Sequence, residues 1–321
     1  MLVTEEGVFV ASMEEYLADP CPTPSVSASV AKSMMGRSPA HAFVENRRLN
    51  PYYETEESNK FDIGTAFHTL MTGVGGELQE VVGYDNWKKK DAQQTRAELK
   101  SMGIMPLLSH EMLQVEHMAD AAKFAFEQSE FGNPFADHDP RTCEVNMAWR
   151  SNTAYGPVWN RARSDKLDME NRICFDLKTT TDATEGSFSR VIQRLSYDMT
   201  RVHYLEGLNK IFPGRPWRHV FAVTETEAPH GSRMIELSAP DWDIQAEPRL
   251  NRARDRFAWC MKNDVWPGYP TDTMKPEPAP YYTARLEFEA EKEAAELLKK
   301  PGQNILDMAA KWQAPTRSIE E

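Results

Sequence analysis

Apolar residues recur at helical spacing in one stretch and at every second position in the next. From Ser109, SHEMLQVEHMADAAKFAFEQ places Met112, Val115, Met118, Ala122 and Phe126 on one stripe, which predicts an amphipathic helix. In TCEVNMAWR the period falls to two. Cys143, Val145, Met147 and Trp149 share one face, and Glu144, Asn146 and Arg150 the other, as in a strand. PVWNRARSDKLD and RICFDLK follow as two more strands around the turn MEN. A helix is predicted over 188–210, then a hairpin of HVFAVTETE and SRMIELS joined by APHG, then a helix over 240–263. Upstream, ASVAKSMM reads as a short helix capped by Ser27 or Ser29 and ending before Ser38-Pro39. DIGTAFHTLM, from Asp62, reads as a helix and LQEVVGY (78–84) as a strand, and 86–103 is polar and partly basic. The Pro-rich PGYPTDTMKPEPAPYY breaks the pattern, and EAEKEAAELLKK and ILDMAAKW form a helical tail beyond it. Helices, three meandering strands, helix, hairpin and helix predict an α/β or α+β layer with a mixed sheet. The expected division is a lead-in over 1–24, a main domain over 25–283 and a tail over 284–321.

Composition narrows the class. A chain of 321 residues, 40% apolar and 27% charged, can bury a real core. No apolar run approaches the ~20 residues of a membrane helix, and the acidic start MLVTEEGVFVASMEEY does not read as a secretory signal. The net charge of −12 argues against a protein that coats nucleic acid by bulk charge. It leaves room for a DNA enzyme, because a bound cation and a few local Lys and Arg can supply the positive field. Cys21, Cys143, Cys174 and Cys260 form no C-x-x-C pair, so neither a structural zinc site nor a disulfide is expected, and the protein reads as cytosolic.

The most informative stretch is RARSDKLDMENRICFDLKTTTDA. On a strand, Asp176 and Lys178 project together while Ile173, Phe175 and Leu177 project into the core. A short turn could bring Asp165 beside Asp176, and Glu144, on the preceding strand, could reach the same place. Converging carboxylates repel unless a cation lies between them, and hard oxygen ligands suit Mg²⁺ or Mn²⁺. A lysine beside such a site could orient or deprotonate an attacking water. Alone, Asp-x-Lys on a strand is usually a solvated edge.

The joined pieces are more specific than any one of them. SD-x10-DLK resembles the core of the PD-(D/E)xK nuclease superfamily, with Ser164 where proline is usual. SVSASVAKSMMGRSPAHAF, GTAFHTL, EVNMAW, FDLKTTTDA, YDMTRVHYLEGL, HVFAVTET and MKNDVWPGY follow in an order similar to that of the RecE-type exodeoxyribonuclease VIII group, over about residues 25–270. The resemblance implies a restriction-endonuclease-like α/β fold. It implies a site in which Asp165, Asp176, Glu144, His68 and the Leu177 carbonyl hold Mg²⁺, with Mn²⁺ substituting, and Lys178 is catalytic. It further implies 5′→3′ digestion of linear duplex DNA to leave 3′ overhangs, a trimeric or tetrameric ring, an annealing partner protein, and a phage or prophage origin in a bacterial cytoplasm. A four-cysteine iron–sulfur cluster fails on ligand count, since only Cys21 and Cys260 lie outside the catalytic strands. A structure-specific endonuclease and a non-catalytic end-binding scaffold are the alternatives.

The family's Q-x-x-x-Y motif is altered. Aligned through YLEGL, Tyr204 matches the tyrosine and Thr200 replaces the glutamine, while a literal Q-x-x-x-Y stands at Gln193 and Tyr197. On one continuous helix all four would share a face. Either tyrosine could point at DNA, and the YLEGL register favours Tyr204. Arg161, Arg163, Arg190, Arg194, Arg201, Thr200, Lys88 and Lys89 are the candidate DNA contacts, of which two or three are expected to touch phosphate.

Overall fold

The computed structural model describes residues 3–53, 63–237 and 240–298. The chain forms two compact units, Met1–Tyr269 and Pro270–Glu321. The first is built on a six-stranded sheet of β1 (Gly7–Phe9), β4 (Cys143–Ser151), β5 (Val158–Asp168), β6 (Ile173–Thr180), β7 (Arg218–Glu225) and β8 (Ser232–Glu236), in that order. Every neighbouring pair is antiparallel except β6 with β7, which is parallel. β2 (Leu78–Val81) and β3 (Met105–Leu108) form a separate parallel pair. The mixed α/β core expected from sequence is present, with the three-strand meander at its centre.

Helices flank both faces. α4 (Ile63–Thr72) and α6 (Ser109–Glu127) bury Phe67, Met71, Val115, Met118 and Phe126 against Ile173, Phe175 and Leu177 of β6. On the opposite face α8 (Tyr197–Ile211) packs Leu208 against Met147, Trp149 and Cys174. α7 (Glu185–Leu195) packs Phe188 and Ile192 against Phe221 and Val223. α2 (Ala28–Gly36), α3 (Pro39–Val44) and α9 (Pro240–Asn263) share a further core through Met34, Ala42, Leu250 and Phe257, joined by Met199 of α8. α1 (Met13–Leu17) and α5 (Lys90–Ser101) complete this unit, and α10 (Pro280–Leu297) belongs to the second.

Several local readings change. Ser27, rather than Ser29, caps α2, its hydroxyl accepting from the Val30 N–H at 3.3 Å. The strand read over 78–84 stops at Val81, and the polar segment after it is largely helix α5. The start of DIGTAFHTLM at Asp62 and the ILDMAAKW segment lie outside the described residues. The helix read over 188–210 is two helices, because Ser196 takes a left-handed conformation at φ 50° and ψ 47°. Arg249 from α9 pins this joint, donating to the Ser196 hydroxyl at 2.7 Å and to Asp198 at 2.8 Å. Gln193 on α7 therefore does not share a helix with Tyr197, Thr200 and Tyr204 on α8, and the single stripe of four is lost. No helix among the described residues is long and apolar enough to cross a membrane.

The seat of α8 on the sheet depends on Gly207. A Cβ there would lie 2.6 Å from Cζ3 of Trp149, whose ring is fully buried. Gly207→Ala should therefore destabilise the protein by about 1–3 kcal/mol, the usual range for overpacking a core. Urea denaturation reads this directly, and an unchanged midpoint would show that α8 is seated otherwise.

Candidate metal centre

The site forms where two strands part. β5 and β6 pair only from Lys166↔Phe175 to Asp168↔Ile173. Beyond that point β5 stays with β4, and β6 stays with β7. Asp165 stands at the fork. Its Oδ2 accepts the Leu177 N–H at 2.6 Å, taking the place of a strand acceptor. The Leu177 carbonyl lies 3.0 Å from Nε2 of His68. Both backbone groups exposed by the fork are thus satisfied by side chains, and His68 also lines a cleft of about 580 Å³ with Glu144 and Lys178.

His68 is aimed by α4, whose Ala66, Phe67 and Met71 are fully buried. Its Nδ1 is 3.6 Å from Glu144 Oε1 and its Nε2 is 3.4 Å from Asp165 Oδ2. Potential ligand atoms of these three residues all lie within 4.8 Å of one another. Glu144 sits on β4 with φ 53°, a left-handed conformation that non-glycine residues adopt at a cost, commonly at functional sites. Arg163 holds its carboxylate at 2.5 Å and is itself bonded to the Ala11 carbonyl and to Asn146, each at 3.1 Å.

Asp176 and Lys178 lie on the other side of Leu177. Lys178 Nζ donates to Asp176 Oδ1 at 2.5 Å and lies 3.3 Å from the Leu177 carbonyl. Asp176 Oδ2 is buried without a hydrogen-bond partner. His219 lies 3.9 Å from it, fully buried, with both ring nitrogens unpartnered.

These contacts set the charges. Burial pulls the His68 pKa down, but Asp165 and Glu144 outweigh it and raise it to about 10. Burial raises Asp165 above the usual carboxylate range, against the pull of His68. Glu144 is held below that range by His68 and Arg163, and Asp176 by Lys178, in both cases despite burial. Lys178 is likewise raised by Asp176 and Asp165 against its burial, so the protein alone keeps it as an ammonium. Burial pushes His219 down to about 4, which keeps it neutral.

The donor set fits a hard divalent cation. Two carboxylates and one imidazole converge, the Leu177 carbonyl lies against that imidazole, and nearby Asp176 keeps one carboxylate oxygen buried without a partner. Glu144, Asp165, Asp176, His68 and the Leu177 carbonyl would hold Mg²⁺ or Mn²⁺. Asp176 lies outside the 4.8 Å group of His68, Glu144 and Asp165.

The other sequence candidates divide sharply. Tyr197 lines the cleft with Lys178, whose Nζ is 5.6 Å from the centre of its ring. The Tyr204 hydroxyl is instead spent on the Arg163 carbonyl at 2.9 Å, and its ring stacks on His219 at 5.9 Å. Thr200 is buried, with its hydroxyl unpartnered. Arg161 is also buried, bonded to Ser25 and paired with Asp19 at 2.9 Å, so it braces the N-terminal segment and is not presented to DNA. Arg163 lines the cleft, yet its guanidinium is occupied by Glu144. Arg201 pairs with Asp243. Arg190, Arg194, Lys88 and Lys89 are exposed. Lys32 on α2 was missed, although it lies inside the quoted SVSASVAKSMM. Its Nζ is 5.4 Å from the centre of the Tyr197 ring.

Comparison with known proteins agrees with this architecture. Residues 148–274 match a family described as a PDDEXK-like domain of unknown function (DUF3799), a span that includes Asp165, Asp176 and Lys178. The crystal structure of a "Putative exonuclease" from Eubacterium rectale superposes with a TM-score of 0.55 at 14% identity, covering 87% of this chain and 98% of that one. The solved structure of SSO0001 aligns at 10% identity over 79% of this chain and 89% of that one, with a TM-score of 0.27, too distant to bear on the fold. No curated protein matches the chain in sequence. The chain has a PD-(D/E)xK-like fold: a central, mostly antiparallel six-stranded sheet flanked by helices.

His68 makes the stability of the protein alone depend on pH. Its folded pKa of about 10 lies above the ordinary imidazole value of 6.5. Its stabilising contribution is therefore complete below the unfolded value and is lost as pH rises through the folded one. The difference in denaturation midpoint between the protein and His68→Gln, measured in EDTA, should shrink from pH 6.5 to pH 10. A constant difference would show that the imidazole is not charged between the carboxylates.

Proposed function

We propose that this chain is a divalent-metal-dependent DNA exonuclease acting on the ends of linear duplexes. The observation that carries the reading is the placement of acids and lysine around one peptide unit. Asp165 and His68 meet Leu177 from one side, and Asp176 and Lys178 flank it on the other, at an open cleft. Such an arrangement suits phosphoryl transfer, in which catalysis is largely positioning and charge stabilisation.

When bound, Mg²⁺ or Mn²⁺ would neutralise charge developing on the phosphoryl oxygens. The protein's own share follows from its charges. Lys178 is an ammonium braced by Asp176, so it donates hydrogen bonds to the attacking water or to the phosphate rather than removing a proton. Glu144 is fixed by Arg163, which leaves its other oxygen turned toward His68. Tyr197 supplies an aromatic wall beside Lys178.

The finer reading rests on the motif resemblance to RecE-type nucleases. It comprises 5′→3′ polarity, 3′ overhangs passed to a strand-annealing protein, and a phage or prophage origin in a bacterial cytoplasm. It also includes a closed trimer or tetramer, whose mass light scattering would give. A ring would supply processivity to an acidic protein that holds DNA poorly by charge alone.

End-labelled linear duplex, incubated with Mg²⁺, should lose nucleotides progressively from its ends, and EDTA should stop the loss. Cleavage of covalently closed circles at a similar rate would replace the exonuclease with an endonuclease. Loss in EDTA would remove the metal. Asp165→Asn, Asp176→Asn and Lys178→Ala should each raise the barrier by roughly 3 kcal/mol or more while leaving the protein folded. Full activity of Asp176→Asn would sink the assignment.

The two tyrosines separate by their contacts. Tyr204→Phe should cost about 1 kcal/mol of stability through the lost bond to the Arg163 carbonyl, with little direct effect on cleavage. Tyr197→Leu should slow cleavage by about tenfold or more, a barrier change of ~1.4 kcal/mol, while the protein stays folded at the cost of the ring's stacking on Phe221. The reverse pattern would restore the register through YLEGL.

A further inference from the structure

Lys32 is a half-buried cation with no carboxylate of its own among the described residues. It projects from α2, and its Nζ lies 5.4 Å from the centre of the Tyr197 ring. Lys178 stands against the same ring at 5.6 Å. Two carboxylates act on Lys32, those of Asp176 and Asp198. Each is already engaged by a nearer cation: Asp176 by Lys178 at 2.5 Å and Asp198 by Arg249 at 2.8 Å. Among the described residues Lys32 makes no ion pair and no hydrogen bond. Burial first, and then repulsion from Lys178, lower its pKa from the ordinary lysine value.

An ammonium kept in such a place is stabilised by an arriving anion. A buried charge without a partner is costly, and here the aromatic face offers only partial compensation. The anion that reaches Lys178 under the proposed function is a phosphodiester. We propose that Lys32 is a substrate-binding residue whose ammonium grips a non-bridging phosphate oxygen of the DNA strand, with Tyr197 as the wall between it and Lys178. This inference rests on the nuclease reading of the site. Lys32 would complete a row of positive charge opposite the acids: the acids would hold a cation, and Lys32 and Lys178 would face the strand.

The contact is to backbone, so it should carry affinity without base preference. It is made before and during the reaction alike, so it should act on KM rather than kcat. Lys32→Met keeps the apolar stem and removes the charge, and Lys32→Arg keeps the charge. Binding of a fluorescent short duplex in EDTA is measured by anisotropy across a salt series, and cleavage in Mg²⁺ is measured on the same proteins. Lys32→Met should lower the slope of log affinity against log salt by about 0.9, the value for one lost phosphate contact. It should raise KM by about tenfold with kcat within about twofold, and Lys32→Arg should restore both. An unchanged slope and KM in Lys32→Met, with the unaltered protein binding and cleaving DNA, would overturn the role of Lys32 and leave the nuclease reading intact. Failure of the unaltered protein to bind or cleave DNA would overturn both. A fall in affinity with an unchanged salt slope, or one that Lys32→Arg does not restore, would show a packing role and overturn the proposal. A melting curve of each variant separates this from misfolding.

Discussion

The centre depends on the early parting of β5 from β6. A strand that leaves its neighbour exposes N–H and C=O groups that must find other partners. Here the loss falls on Leu177, and the partners are Asp165 and His68. The requirement of the backbone thus draws together a carboxylate from one strand and an imidazole from a helix across the sheet. Parallel pairing with β7 continues to Thr180, so β6 stays fixed while its other edge is open. Asp176 and Lys178, on the opposite face from Leu177, inherit that rigidity. The acids are held by a sheet that is complete on one side and deliberately incomplete on the other.

The same tension is visible in the charges. Without a cation, three carboxylates are held by His68, Arg163 and Lys178, each borrowed from a different element. His68 and Lys178 have raised pKa values, against their burial, because they face Asp165, Glu144 and Asp176. Asp176 Oδ2 and His219 are left without partners in a buried layer between β6, β7 and α8. Buried polar atoms of this kind are uncommon in folded proteins, and their position behind the acids is consistent with a site that is unfinished until it binds.

Much of this was legible in sequence because it is local. Period-two alternation located Met147 and Trp149 on the α8 side, and Ile173, Phe175 and Leu177 on the α4 side. The spacing of Asp165, Asp176 and Lys178 required only a strand, a turn and another strand. What failed was set by tertiary contacts. Nothing in SRVIQRLSYDMTRVHYL announces a break at Ser196, since the residue that fastens it, Arg249, comes from α9. The arginines flanking the motif looked like phosphate ligands, but Arg161 serves Asp19 and Ser25, and Arg163 serves Glu144. Arg161 and Asp19 stand 142 positions apart, far beyond any periodicity window. Lys32 escaped for the same reason: helical spacing puts it on α2, and only packing puts α2 beside Tyr197.

The charge balance limits how a polyanion could be captured. At −12 overall, the chain offers no long-range attraction to DNA. Screening at physiological salt confines charge effects to about 8 Å, so association would depend on groups that meet the strand closely. The exposed Lys88, Lys89, Arg190 and Arg194 lie at the surface, Lys178 lines the cleft, and Lys32 stands beside the Tyr197 ring that lines it. Arg161, Arg163 and Arg201 are instead neutralised by Asp19, Glu144 and Asp243. Three of these nine basic residues thus hold the protein together, and of the other six only Lys178 has an ion pair among the described residues, with Asp176. A protein organised in this way separates the charges that build its site from the charges that would hold its substrate.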